Sequence, residues 1–308
     1  MKTRIYSRRN SFPGEYDKMD EFNRGIFKRE NKDNTNQNDQ DKQDMFTNDN
    51  HLDRIPPTQP QEQPMDDNMM SRIRTGLTRL DEHLSGGLPK KSITLISGTP
   101  GSGKTILCFN FVWEGLQNNE HCLYLTSDER VENILKQATE LGFDFKSYKD
   151  NGNLKIMYLD LDKPDIHKDM EMEISSGNYS RVILDSLTPV TEVPVWLSGV
   201  HEVIPSEGAT DTKRYPAGSV AATRMHIRRI IGILSREDCT AMVTSEIPEG
   251  SRSLSRDTIS EFLVDGIILL DLDTTMDRRK LTIRKMRATK HTLKPHDIQI
   301  TEGGIKFL

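Results

Sequence analysis

Apolar residues in this chain form short continuous runs that alternate with longer segments of mixed apolar and polar residues. The continuous runs, which are typical of strands buried on both faces, lie at 93–96, 122–126, 154–159, 182–185 and 240–244. The mixed segments place apolar residues three and four apart, as amphipathic helices do, at 106–116, 131–141, 165–176 and 220–236. Strand and helix therefore alternate along the chain, which predicts an α/β fold with a mostly parallel central sheet and helices on both faces.

The C-terminal part of the chain follows a different pattern. Three strand-like segments lie at 266–272, 281–286 and 298–307, with only short connections between them. A parallel connection needs a crossover of about a dozen residues, so these short connections predict antiparallel strands added to the sheet. The segment at 188–218 contains Pro and Gly and shows neither the apolar run of a buried strand nor the spacing of an amphipathic helix. We expect a long loop there.

Residues 1–70 also show neither the strand pattern nor the helix pattern. They are rich in Asn, Gln, Asp and Lys, and a Pro- and Gln-containing segment lies at 55–60. Apolar residues are too sparse here to offset the conformational entropy that ordering would cost. The sequence therefore predicts a disordered low-complexity tail at 1–70 and an ordered domain at 71–308.

Composition narrows the class of protein. The formal net charge is -5, so no global basic field indicates nucleic acid or an anionic membrane as a partner. No run approaches about 18 apolar residues, and we expect no membrane partner. The three cysteines are far apart and odd in number, which favours a reducing compartment, the cytoplasm, over a disulfide framework. The histidines lack the spacing of a metal motif, so we expect no structural metal.

The segment at 98–105, which we call the P-loop, carries the most specific chemical signal. It matches the phosphate-binding pattern G-x-x-x-x-G-K-T, with a predicted strand before it and a predicted helix after it. Its glycines let backbone N–H groups surround an anion, and the helix N-terminus adds a positive dipole end. Lys104 would reach the β- and γ-phosphates of ATP, and the Thr105 hydroxyl would ligate Mg²⁺; Lys104 is also a predicted catalytic residue. The predicted nucleotide-binding residues of this segment are Gly98, Thr99, Pro100, Gly101, Ser102, Gly103, Lys104, Thr105 and Ile106.

Two further segments place carboxylates at the ends of predicted strands. Asp185 ends the strand at 182–185, where it would face the nucleotide crevice and hold Mg²⁺ through water or the Thr105 hydroxyl. Asp128 and Glu129 follow the strand at 122–126, where a carboxylate could orient the attacking water and take its proton. The spacing of Thr126 and Glu129 equally fits a helix capping box, and the spacing alone leaves both interpretations open.

The ordered region resembles a single KaiC domain, an ATPase module of the RecA superfamily of P-loop NTPases. The resemblance spans 71–308 and is carried by the segments at 76–81, 86–89, 126–129, 183–188 and 285–291, the last resembling K-x-R-x-T-x-H, and by the closing turn at 301–305. It implies a hexameric ring with ATP at the subunit interfaces. The family's clock protein carries its autophosphorylated Ser/Thr pair in a second domain, so we place no such site in this chain.

The resemblance also implies roles for individual residues. In the family the tandem acidic pair activates water, which assigns Glu129 and Asp128 as catalytic; the family usually has Glu at position 128, so Glu129 is the first candidate. Lys285 and Arg287, on one face of a strand, would reach the neighbouring subunit's nucleotide and neutralise charge on the γ-phosphoryl group. His291 and Glu302 would lie near the ribose and base, completing the predicted nucleotide site.

Three functions are consistent with these features. The first is an oligomeric ATPase that acts as a regulatory or signalling switch toward an unknown protein partner. The second is a RecA/RadA-like recombinase paralogue that binds single-stranded DNA through the loops at 188–218 and 249–256, of which the second has two arginines but no aromatic residue for base stacking. The third is a nucleotide-gated scaffold with negligible turnover.

Overall fold

A computed structural model describes residues 71–163, 166–192, 220–236 and 238–308. The predicted tail at 1–70 and most of the predicted loop at 188–218 lie outside these ranges. The helices are α1 (Thr78–His83), α2 (Lys104–Gln117), α3 (Val131–Glu140), α4 (Phe145–Asp150), α5 (Ile166–Ser176), α6 (Leu187–Glu192), α7 (Val220–Arg236) and α8 (Ser260–Leu263). The strands are β1 (Arg72–Ile73), β2 (Leu88–Pro89), β3 (Ile93–Gly98), β4 (Cys122–Thr126), β5 (Leu154–Tyr158), β6 (Arg181–Asp185), β7 (Thr240–Glu246), β8 (Gly266–Asp273), β9 (Arg278–Met286), β10 (His296–Thr301) and β11 (Gly304–Phe307).

Most of the described strands belong to one nine-stranded sheet, in the order β11-β10-β9-β8-β3-β7-β6-β4-β5. The strands from β8 to β5 in this order are paired in parallel, whereas β9, β10 and β11 are added antiparallel. The predicted α/β class, the mostly parallel sheet and the C-terminal antiparallel strands are therefore confirmed. A separate antiparallel pair, β1 and β2, precedes the sheet.

Helices cover both faces of the sheet, and the side chains of each central strand alternate between them. Tyr124 of β4 packs in the same apolar layer as Phe109 of α2. Leu123 and Leu125 of the same strand pack in the opposite layer, with Ile230 of α7. A strand covered on both faces has no polar side, which explains why the central strands read as continuous apolar runs.

The structure differs from the predicted elements in several places. The helix α6 covers the beginning of the predicted loop at 188–218. The segment at 298–307 is two strands rather than one, because Gly303 and Gly304 turn the chain with φ values of 85° and 98°. The helices α4 and α8 were not predicted, since their six and four residues are too few to show a helical period.

Asn110 of α2 holds the turn between β10 and β11. Its Nδ2 donates to the carbonyl oxygen of Gly303, and its Oδ1 accepts from the backbone N–H of Ile305, both at 3.0 Å. A Cβ atom at Gly304 would lie 2.4 Å from Asn110 Oδ1, so this close approach requires glycine. The antiparallel end of the sheet is thereby fastened to the helix that follows the P-loop.

Two buried histidines meet between α5 and α7. The rings of His167 and His226 lie 4.6 Å apart at an interplanar angle of 89°, and their nitrogens have no hydrogen-bond partner among the described residues. Burial lowers the pKa of His167 to about 3, with further repulsion from His226 and Arg229. Burial, together with Arg229, lowers the pKa of His226 to about 4, so both rings are neutral in the folded domain near pH 7.

We expect the domain to become less stable as the pH falls from 8 to 5. In the unfolded chain each imidazole takes up a proton below its ordinary pKa of 6.5, whereas in the native state it stays neutral, so protons favour unfolding. The loss is about 2 kcal/mol for each histidine at pH 5, because one pKa unit corresponds to about 1.4 kcal/mol. Chemical denaturation at the two pH values measures this loss.

Replacing His167 and His226 together by leucine should remove this part of the pH dependence, because leucine binds no proton in either state. The variant His121→Gln, which changes an exposed imidazole, is the control and should leave the pH dependence as it is. A double variant that loses as much stability between pH 8 and pH 5 as the parent protein would contradict the prediction.

Candidate nucleotide-binding site

Three glycines shape the P-loop. Gly101 and Gly103 have φ values of 76° and 103°, in the left-handed region that L side chains rarely adopt. Gly98 ends β3, where a Cβ atom would lie 2.4 Å from Ser102 Oγ and 2.5 Å from the carbonyl oxygen of Leu270. Since α2 begins directly after Gly103, these glycines place the N-terminus of a buried helix at the end of the central strand β3.

Lys104 and Ser102 show which kind of ligand the P-loop fits. The Lys104 ammonium group is buried and donates to the carbonyl oxygens of Gly98 at 3.1 Å and Thr99 at 3.0 Å. Burial lowers its pKa, although the nearby carboxylates favour the charged form. The Ser102 hydroxyl is buried and has no hydrogen-bond partner among the described residues. A phosphate group would supply acceptors for both side chains and for the helix N-terminus, so these residues fit the phosphate chain of a nucleotide.

The predicted metal-binding pair lies together in the structure. The Thr105 hydroxyl donates to Asp185 Oδ2 at 2.8 Å. Two hydroxyls from the sheet also donate to this carboxylate: Tyr124 to Oδ2 at 2.6 Å and Thr244 to Oδ1 at 2.5 Å. Carboxylate and hydroxyl oxygens are the hard ligands that Mg²⁺ prefers, so Thr105 and Asp185 fit a magnesium ion beside the phosphates.

The predicted acidic pair follows β4 at the same edge of the sheet. Asp128 Oδ2 accepts from the Ser186 hydroxyl at 2.8 Å, and Glu129 Oε2 accepts from Gln137 Nε2 of α3. The Thr126 hydroxyl bonds the backbone N–H and carbonyl of Glu129 at 3.2 and 2.9 Å. Because α3 begins at Val131 with Arg130 as its N-cap, this turn precedes the helix and is not its capping box.

Burial raises the pKa of both carboxyl groups of the acidic pair. For Asp128 the Ser186 hydrogen bond opposes this effect, and repulsion from Asp185 adds to it. For Glu129 the Gln137 hydrogen bond opposes it, and the neighbouring carboxylates Asp185 and Asp128 add to it. A carboxylate with a raised pKa is a better proton acceptor, which is the property that a general base requires.

One cleft of about 400 Å³ joins these groups at the carboxyl edge of the sheet. Its polar lining includes P-loop residues, the acidic pair and Asp185, together with Glu246 at the end of β7. Its apolar lining includes Ile106, Ile134 and Ile300, the last from β10. The predicted residues Lys104, Thr105, Asp128, Glu129 and Asp185 are therefore brought into one cavity.

Lys285 and Arg287 do not lie at this edge. Strand β8 runs parallel to β3, so its first residue, Gly266, lies at the edge opposite the P-loop, and Gly266 pairs with Met286, next to Lys285. The Lys285 ammonium group donates to the carbonyl oxygens of Glu261 at 3.0 Å and Val264 at 2.6 Å.

The neighbouring arginine lies on the same side. Arg287 is paired with Asp265 at 2.9 Å, with more than half of its side chain exposed. Within one chain, the side chains of Lys285 and Arg287 are therefore separated from the P-loop by the length of the sheet's central strands. His291 is half-buried in the connection between β9 and β10, which returns the chain toward the P-loop edge.

Glu302 lies apart from Lys285 and Arg287. Strand β10 runs antiparallel to β9 and returns to the P-loop edge, so the turn that contains Glu302 lies at that edge. The Glu302 Cγ atom would lie 3.6 Å from a Cβ at Gly142, just after α3. The structure thus places Glu302 at the edge of the sheet that holds the chain's own P-loop.

Several residues of the site were not predicted from the sequence, and four of them make hydrogen bonds to predicted ones. Tyr124 and Thr244 contact Asp185, Gln137 contacts Glu129, and Arg279 Nε donates to the carbonyl oxygen of Gly101 in the P-loop at 3.3 Å. The sequence did contain a signal for Tyr124 and Thr244. Each carries a hydroxyl group in an otherwise apolar strand, on the same face of the sheet as Asp185. No local pattern marks Gln137 or Arg279, because their partners are distant in the sequence or lie on another element.

Two further structural findings bear on the class of protein. Across the described ranges, no group of three or more His, Cys, Asp or Glu side chains is arranged to hold a metal ion. Within the same ranges, none of the helices is long and apolar enough to cross a bilayer.

Comparison with known proteins agrees with the geometry of the cleft. The chain matches the model of the KaiC ATPase family at residues 73–195 and 213–308. It is 31% identical over 242 residues to a UPF0273 protein of Pyrococcus furiosus, which covers 77% of this chain and 94% of that protein. It is 32% identical over 245 residues to a UPF0273 protein of Methanocaldococcus jannaschii, with 77% and 96% covered.

A match to a solved structure agrees with this family assignment. The KaiC-like protein of Pyrococcus horikoshii matches with a TM-score of 0.63 and 25% identity, over 78% of this chain and 99% of that chain. The strand order, the P-loop at the end of β3 and the carboxylate at the end of β6 are thus those of a RecA-like fold. The chain belongs to the KaiC family of RecA-superfamily ATPases, and it carries a single KaiC-like domain.

Proposed function

We propose that this protein binds ATP with Mg²⁺ and hydrolyses it at the interfaces of a ring of identical subunits. The observation that carries the proposal is the convergence of Lys104, Thr105, Asp185 and Glu129 in one cleft at the P-loop. Each of these side chains supplies a different requirement of phosphoryl transfer to water. Nucleotide state would then set the affinity for a protein partner, which makes the ring a regulatory switch.

The roles of the binding residues follow from their positions. The P-loop backbone and Lys104 hold the phosphates, while the Thr105 hydroxyl and Asp185 hold Mg²⁺. When bound, Mg²⁺ neutralises charge on the β- and γ-phosphate oxygens.

Glu129 is the first candidate for the general base. Its carboxylate takes the proton from the attacking water, and its half-buried position favours the protonated form. The side chain of Asp128 is shorter by one methylene group, so it has less reach toward a water in the cleft.

Lys104→Ala should abolish ATP binding, because it removes the ammonium group that would bind the phosphates. In the structure this group donates to the P-loop carbonyl oxygens. Calorimetric titration with Mg·ATP measures the affinity. The variant Lys91→Ala, which changes an exposed lysine paired with Asp238, is the matched control and should bind ATP normally. Retained affinity in Lys104→Ala would refute the assignment of the P-loop.

Glu129→Gln should keep ATP binding but lower turnover by about 10²- to 10⁴-fold, the usual contribution of a general base. Phosphate release at saturating ATP measures turnover. Glu132→Gln changes an exposed glutamate in the first turn of α3 and should leave turnover unchanged. Unchanged turnover in Glu129→Gln would exclude Glu129 as the base, and a loss in Asp128→Asn would then assign the role to Asp128.

Action between subunits is supported by the two edges of the sheet. Lys285 and Arg287 lie at the edge opposite the chain's own P-loop, so they can reach a γ-phosphate only in a second copy. The pairing of Arg287 with Asp265 is an exposed ion pair, which costs about 1 kcal/mol or less to break. Lys285 would have to leave two backbone carbonyls, so Arg287 is the first candidate for the cation supplied in trans.

Mixing inactive Arg287→Ala and Glu129→Gln subunits should restore part of the hydrolysis. In a mixed ring, some interfaces combine the intact arginine of one subunit with the intact glutamate of the other. Phosphate release over a series of mixing ratios measures the recovery, and subunits carrying both substitutions are the control that should rescue neither variant. No recovery at any ratio, with mixed rings shown to form, would contradict action in trans.

The remaining parts of the proposal rest on the sequence. The hexameric ring follows from the family resemblance, the ATPase domain at 71–308 from composition together with that resemblance, and the cytoplasmic location from the odd number and wide spacing of the cysteines. The protein partner is one whose chemistry the cleft does not specify. The single-stranded DNA alternative has one supporting observation: α7 exposes Arg224, Arg228 and Arg229. Its predicted loop at 249–256 is tied to the domain core, since Leu254 O accepts from Ser97 and Arg256 N donates to Ser245, so we favour the ATPase switch.

A further inference from the structure

The hydroxyl of Tyr124 lies inside the domain and faces a site residue. Tyr124 is fully buried in the middle of β4, with its ring near Phe109 of α2. Its Oη donates to Asp185 Oδ2 at 2.6 Å. Phenylalanine would fill the same apolar space, so packing alone does not require the hydroxyl.

Tyr124 shares its acceptor with the P-loop threonine. The Thr105 hydroxyl donates its one proton to the same Asp185 Oδ2 at 2.8 Å, which leaves its lone pairs available to a cation. Thr244 donates to the other carboxylate oxygen at 2.5 Å. Three hydroxyl donors from three elements therefore determine the orientation of one carboxylate.

The fold explains why these donors meet. Leu184 of β6 pairs with Val243 of β7, so Asp185 and Thr244, the next residues of each strand, lie side by side. Tyr124 pairs with Ile183, two residues before Asp185 on the same face, and its long side chain spans that distance. The phenol hydroxyl carries a proton and the Asp185 carboxylate offers only acceptors, so Tyr124 is the donor in this hydrogen bond.

We propose that Tyr124, together with Thr244, is a positioning residue that fixes Asp185 and, through it, turns the Thr105 hydroxyl toward Mg²⁺. The inference rests on the proposed function, since it deepens the assignment of Thr105 and Asp185 as the magnesium-binding pair. Without the phenol hydroxyl, Asp185 Oδ2 loses one of its two donors and the carboxylate is freer to rotate. The Thr105 proton then has no fixed acceptor, and the magnesium-dependent part of nucleotide affinity weakens.

The test is a magnesium titration of the full-length variant Tyr124→Phe. Binding of a fluorescent N-methylanthraniloyl derivative of ATP is measured in EDTA and over a range of Mg²⁺ concentrations. We expect the Mg²⁺ concentration at half-maximal effect to rise about tenfold, the usual cost of losing a residue that orients a metal ligand. Affinity in EDTA should stay at the parent value, because the P-loop contacts are unchanged.

Tyr179→Phe is the matched control. Tyr179 Oη also donates to a carboxylate at 2.6 Å, that of Glu173, but neither residue lines the nucleotide cleft. This variant should leave both the magnesium titration and the EDTA affinity unchanged.

A second pair of variants tests the same positioning role at the other carboxylate oxygen of Asp185, Oδ1. Thr244→Val removes the donor to Asp185 Oδ1 and should raise the required Mg²⁺ concentration, whereas Thr244→Ser keeps the hydroxyl and should restore the parent value. This pair decides the question if Tyr124→Phe does not fold.

Two outcomes would overturn the inference: a magnesium dependence in Tyr124→Phe and Thr244→Val equal to that of the parent, or an equal loss of affinity with and without Mg²⁺. Failure of the proposed function has a different signature, which is full nucleotide affinity in Lys104→Ala.

Discussion

The carboxylate of Asp185 joins the elements on which the site depends. It accepts hydrogen bonds from the hydroxyl groups of Thr105 at the start of α2, Tyr124 in β4 and Thr244 in β7. These residues meet because the carboxyl ends of parallel strands lie at one edge of a sheet, and the helix after the P-loop starts at the same edge. A short side chain can therefore hold the P-loop helix and two strands in one relative position. The positions of the Thr105 and Asp185 oxygens, which we propose bind Mg²⁺, follow from these hydrogen bonds.

The strand that carries Asp185 is also anchored at its other end. Arg181, the first residue of β6, is buried, and its guanidinium group pairs with Glu120 at 2.6 Å. It also donates to the carbonyl oxygens of Arg74 and Phe111, and Gly115 of α2 has no side chain to obstruct it. Breaking such a buried pair costs about 3 kcal/mol or more. Both ends of β6 are thus held against α2, which fixes the position of the Asp185 carboxylate relative to the P-loop.

The antiparallel strands give the domain two chemically different edges. One edge holds the P-loop, the acidic pair and the turn with Glu302, whereas the other carries Lys285 and Arg287. A single chain can bring only the first group to its nucleotide. A ring in which each subunit presents its second edge to the next would complete every site, and nucleotide contacts would then couple neighbouring subunits. This separation is the physical basis for proposing an assembly rather than a self-sufficient monomer.

The sequence alone was enough to predict the α/β class, the positions of the central strands and the P-loop, because these depend on local patterns: apolar runs, helical spacing and glycines that tolerate a positive φ. It also indicated Asp185, Asp128 and Glu129, since each directly follows or ends an apolar strand. Tertiary structure alone decided that Tyr124, Thr244 and Gln137 hold those carboxylates, and that the segment at 298–307 turns against Asn110. It also decided which edge each basic residue occupies. Hydrogen bonds between residues far apart in the chain depend on strand order and register, and no local pattern of polar and apolar residues encodes either.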